Sequence, residues 1–185
     1  EALLLTATLV LFAFHYLARA DLIGSQRGDG AWLVVSAGRR SPSLHFLAAA
    51  VLLAAVPLSV ARGLYGLSWR ELGLGTGRVR AGLAWLAIGV PVAVLAGRIS
   101  SGSPAMQTVY PLDASVVAAP GSFLPHAIRN LLYFGAWEVL FRGVLLFSLR
   151  PRLGAGQANA TQTALSVLAH FGRPMTETFA AIRAG

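Results

Sequence analysis

An all-α, polytopic membrane bundle is the fold class this sequence predicts, on three observations. Hydrophobic residues make up 56% of the 185 and charged residues only 12%, about half the usual share of a soluble domain. The mean hydropathy is +0.65. The apolar residues are gathered into long runs, which is how membrane helices read from sequence. About five membrane-embedded helices in the cell membrane are expected, the fifth shorter than a full span of ~20 residues.

The runs can be taken in order. The first is Ala2 to Ala18, with no small-residue cleavage pattern behind it, so it reads as a retained span. A polar stretch, "RADLIGSQRGDG", leads to a short apolar patch at Ala31 to Ala37 and then to "GRRSPS". The second span runs from about Leu44 to Val60, with Pro57 near its end. The loop "RGLYGLSWRELGLGTGRVR" follows, with Tyr65 and Trp69 placed as interface anchors. The third span covers about Ala81 to Ala96, where Pro91 predicts a kink that neighbours in lipid can tolerate. A stretch rich in Ser, Pro and Gly, with Arg98 and Asp113 as its charges, leads to the fourth span, about Phe123 to Leu149. A break at "RPRLGAGQ" precedes a fifth span from Asn159 to Phe171, with Asn159 or Thr161 as its cap. Gly172 and Pro174 stop it, because proline removes a helix hydrogen bond and clashes.

Two units are expected: spans and loops in 1–122, and a functional core in 123–185. The chain starts inside an apolar run and stops at "AAIRAG", and so reads as truncated at its C-terminus. There is no cysteine, which removes disulfides and thiolate chemistry. The fifteen basic residues are all arginine, and the net charge is +8. They are spread singly along the chain, so nucleic acid is not an expected partner, and membrane lipid is. Basic loops at 62–80 and 150–152 favour the cytoplasm for those ends, yet the 19–43 loop, also with four arginines, then falls outside.

The chemistry is concentrated in "WEVLFRGVLLFSL", Trp137 to Leu149. An acidic or basic side chain at the bilayer centre costs roughly 2.5–3.5 kcal/mol on insertion scales. Glu138 and Arg142 stand four apart, on one helix face, and can pair. On these two residues alone, a structural ion pair explains as much as a site does. The next span adds His170. Glu138 lies ~18 Å before Arg150 along a helix, and His170 lies ~16–17 Å after Asn159. Antiparallel spans would bring the two to one depth. A desolvated carboxylate can act as a general base on water, and an imidazole beside it can stabilise an oxyanion or donate a proton. That set suits amide hydrolysis inside a membrane.

The segment resembles the CAAX protease and bacteriocin-processing family, glutamate-type intramembrane endopeptidases. That family's first motif is a double Glu, three residues, then Arg, often continued as "LFRG"; "WEVLFRG" supplies Glu138 and Arg142. Its second is Phe, three residues, then His; "SVLAHFGRPMTE" supplies His170. The likeness covers roughly Leu124 to the C-terminus, and "LYGLSWRELGL" is similar to the family's upstream loop. It implies that Glu138 activates the hydrolytic water, Arg142 orients that carboxylate and His170 supports the oxyanion side. It also implies cleavage near the C-terminus of a membrane-associated protein or peptide, prenylated ones included. The chain departs from the pattern at three points. Trp137 stands in place of the first Glu, Ser166 in place of the Phe, and the third motif is absent.

Glu177 is an accessory candidate for the missing carboxylate, with capping of the terminal helix as its alternative. His15, His45 and His126 show no metal-ligand spacing with one another or with His170, so neither a metal nor a cofactor is expected. The competing functional class is a catalytically silent scaffold or immunity-type binding protein, and Trp137 is its main support.

Overall fold

The structure is a computed structural model that describes residues 2–15, 42–108, 116, 119–170 and 175–184. The described residues are mostly helical and include no strand. α1 is Ala2–Ala13. α2 begins at Pro42–Ala49, widens into π-type turns at Ala50–Ala55 and continues as Val56–Gly63. α3 is Val79–Ser100, and α4 is the single turn Pro104–Gln107. α5 is Phe123–Glu138, extended by π-type turns over Val139–Phe147. α6 is Ser148–Ala169 and α7 is Met175–Ala184. Most of the 19–43 loop, Asp113 and the Gly172–Pro174 stop lie outside the described residues.

Among the described residues, three helices are long and apolar enough to cross a membrane, Phe46–Gly63, Val79–Ser100 and Phe123–Ala169, of the about five embedded helices expected. α1 is apolar but shorter, and the segment from Asn159 is the returning arm of α6. The turn before that arm falls inside the expected break at 150–157. Pro151 sits inside α6, and the chain turns at Gly154, whose φ of 78° and ψ of 165° are open essentially to glycine alone. Asn159 and Thr161 therefore lie within helix and cap nothing. The Asn159 amide oxygen accepts from Gln162, and the Thr161 hydroxyl donates back to the Gln157 carbonyl. Pro91 sits in α3 without interrupting it.

α1, α2, α5 and α6 share one apolar core. Ala7 and Val10 of α1 and Phe14 just after it meet Ala49 and Leu53 of α2, Leu140 and Leu145 of the wide-turn segment, and Ala158 of α6. Along α5 the buried positions are Ala136, Leu140, Phe141, Gly143, Val144 and Leu145, so its wide-turn segment is covered on more than one face. Between apolar helices in lipid, close packing and internal hydrogen bonds do the holding, since lipid tails are as apolar as leucine. The hydroxyls of Thr6 and Thr8 follow that rule by donating to carbonyls four residues back.

α3 differs from the other long helices, because none of its residues is buried against the others. A second cluster forms where Leu72 of the loop after α2 sits against Ala61 and Val144. That contact fixes the loop to α5. The Leu72 carbonyl lies 3.3 Å from where a Cβ on Gly143 would be, and the ring of Phe147 lies against Gly73, which has φ +68°.

Candidate functional site around Glu138 and His170

Trp137 and His170 are 33 residues apart, so a straight helix would separate them by about 50 Å. Their rings instead meet edge to face, with centroids 5.3 Å apart. The reversal at Gly154 achieves this and folds the second arm of α6 back along α5. His170 therefore stands at the level of the turn that carries Glu138, as the depth arithmetic anticipates.

Which residue of that turn meets His170 is the main structural finding. Trp137 faces the imidazole, and its indole also stacks on Phe141 with centroids 4.7 Å apart and on Tyr133 at 6.1 Å. Successive helical residues point about 100° apart, so Glu138 leaves the helix in a different direction. Its carboxylate accepts a charge-assisted hydrogen bond from Arg142, one turn on. The described residues leave 53% of the Glu138 side chain and 36% of the Arg142 side chain uncovered. The pair is therefore not sealed within the helices of this chain. Where water reaches it, such a pair is worth about 1 kcal/mol or less.

His170 ends α6, with its backbone N–H bonded to the Val167 carbonyl. Its Nδ1 lies 2.7 Å from the Ser166 carbonyl. A carbonyl only accepts, so Nδ1 carries the hydrogen and Nε2 is the chemically open nitrogen. The neutral ring can then accept a proton or a hydrogen bond at Nε2, and it can donate from Nε2 only as imidazolium. Ser166 is thus a second-rank partner of the site by its backbone, whatever its side chain.

A polar stripe that the sequence reading did not single out adjoins the histidine. Gln162 and Ser166 are buried, and with His170 they repeat every four residues on one face of α6. The Gln162 amide nitrogen donates to the Asn159 side-chain oxygen at 3.1 Å and to the Thr163 hydroxyl at 2.9 Å. The four-residue recurrence of polar groups inside an apolar run was the signal available for it.

Glu177 belongs to α7, but its side chain lies outside those described. α7 reaches the site through Thr178, whose hydroxyl donates to the His170 carbonyl at 3.5 Å. His126 lies elsewhere, edge-on to Phe46, and no group of three His, Cys, Asp or Glu that could hold a metal ion occurs among the described residues. No family model, no curated protein and no solved structure matches the chain.

Proposed function

We propose that this chain is an intramembrane endopeptidase of the multi-pass cell membrane, cleaving a peptide bond near the C-terminus of a membrane-associated protein or peptide. One observation carries the reading: the Gly154 reversal sets His170 beside the turn that bears the Glu138–Arg142 pair. A carboxylate, a guanidinium and an imidazole then share one depth of an apolar helix pair, where stranded charges are costly without a use. In this scheme Glu138 takes a proton from water as the water oxygen bonds the scissile carbonyl carbon. Arg142 holds the carboxylate in place. His170, protonated at Nε2, bonds the developing oxyanion and gives its proton to the leaving nitrogen as the C–N bond breaks.

A second reading has an observation of its own. The indole of Trp137 occupies the space against His170 where a carboxylate at that position would meet the imidazole. This favours a catalytically silent member that binds a membrane peptide without cutting it. The two readings are separated with the full chain in proteoliposomes, using prenylated and unprenylated peptides with a fluorophore and quencher about the C-terminal bonds. The enzyme reading expects cleavage that Glu138→Gln abolishes while helicity persists. Absent cleavage in the wild type, with cleavage appearing in Trp137→Glu, would establish the silent reading instead.

A further inference from the structure

The sequence shows two basic loops 70 or more residues apart, and the fold brings them to one end. Leu72 and Gly73 pack on Gly143, Val144 and Phe147. Phe147 lies three residues before Arg150, and Gly73 lies three residues after Arg70. Arg70, Arg78 and Arg80 from the loop and Arg150 and Arg152 from the Gly154 turn are all exposed. None has a carboxylate partner among the described residues. The single acid in 61–80 and 147–157 is Glu71, and it is occupied by the Ser68 hydroxyl at 2.7 Å and the Ser68 N–H at 2.8 Å.

The same end carries ordered amphipathic bodies. The Arg62 guanidinium lies 4.1 Å over the Trp69 ring and donates to the Leu67 carbonyl at 3.2 Å, which fixes Trp69 while leaving it half exposed. Tyr65 and Leu64 are exposed beside it. Two helices long and apolar enough to cross a membrane, Phe46–Gly63 and Val79–Ser100, both have an end at this loop. The other end of α3 offers only Arg98, among serines and glycines.

We propose that this end of the molecule is a binding surface for anionic phospholipid headgroups, with Trp69 and Tyr65 at the hydrocarbon border and the five arginines among the phosphates. The charge pattern decides the class of lipid. A zwitterionic headgroup layer offers uncompensated guanidinium groups no net attraction, whereas an anionic leaflet does. Arginine also matches phosphate oxygens with paired N–H donors. The proposal rests on the membrane reading above but not on peptidase activity.

The test reconstitutes the full chain in vesicles of phosphatidylcholine with and without phosphatidylglycerol. It then measures the ratio of the two lipids retained after extraction. Each arginine near an anionic surface is worth roughly fivefold in partitioning at low salt. Arg150→Gln with Arg152→Gln should therefore lower the phosphatidylglycerol preference roughly 25-fold, and high salt should shrink it by screening. Arg98→Gln should leave it unchanged. Equal retention of both lipids by the wild type, or a preference left undiminished by the double substitution, overturns the proposal and leaves the arginines to an acidic protein surface. A chain that enters neither vesicle overturns the membrane reading itself.

Discussion

Gly154 should be the residue on which the geometry of the candidate site depends most directly. Its φ of 78° and ψ of 165° lie where an L side chain costs of order 1–3 kcal/mol. A Cβ built there meets nothing within 4 Å, so Gly154→Ala would act through the backbone alone. Gly156 provides the control two residues on. It is helical, and a Cβ there also meets nothing within 4 Å. Gly156→Ala should stabilise by roughly 0.4–1 kcal/mol through the unfolded chain. The two alanines should therefore move thermal stability in opposite directions, by about 2–4 °C per kcal/mol for a chain of this size. The assay is thermal unfolding of both variants in one lipid nanodisc, alongside the fluorescence of Trp137 in a background with the other tryptophans replaced by phenylalanine. Loosening of the turn should also weaken the His170 contact and brighten that fluorescence in Gly154→Ala alone. Equal midpoints for the two alanines would refute the assignment of a glycine-only turn at 154.

Three further outcomes follow from other contacts. Gly73→Ala faces both a positive φ and the Phe147 ring, whose atoms lie 2.4–2.9 Å from the built Cβ. It should cost about 2–5 kcal/mol in unfolding free energy, from the left-handed backbone and from overpacking together, and adding Phe147→Ala should recover the overpacking part. The Glu71 carboxyl is held below its ordinary value, first by the Ser68 hydroxyl and then by the Ser68 N–H, with slight opposition from desolvation. A lowered folded pKa means that this stabilisation is complete above the unfolded value and is lost as pH falls through the folded one. Exchange protection of the Ser68 and Leu72 amides should therefore decline at acid pH, and Glu71→Gln should remove that dependence. Trp137→Ala takes away the stack on Phe141 and Tyr133 and the edge of His170. About 3 kcal/mol of lost stability is expected, with Trp137→Phe losing clearly less in the same thermal assay.

The sequence by itself determined the helical, apolar character of the protein, because composition and run length respond only to the surrounding solvent and to helix geometry. The Glu138–Arg142 pair was legible for the same reason: four-residue spacing on one helix is local geometry, and the structure joins the two side chains. The shared depth of Glu138 and His170 was legible as well, since counting residues along two joined arms needs only the rise per residue. Tertiary structure alone decided the rest. The stretch 150–157 announces a break but not the residue at which the chain turns, because Gly154 and Gly156 both stand there and a glycine adopts helical and left-handed backbone with similar ease. Nor does counting give rotation about the helix axis. Wide turns through Val139–Phe147 shift the angular position of every later residue, and the packing of Trp137 on Phe141 selects which side chain meets the imidazole. Depth follows from one-dimensional spacing, whereas facing direction depends on how neighbouring helices fill space.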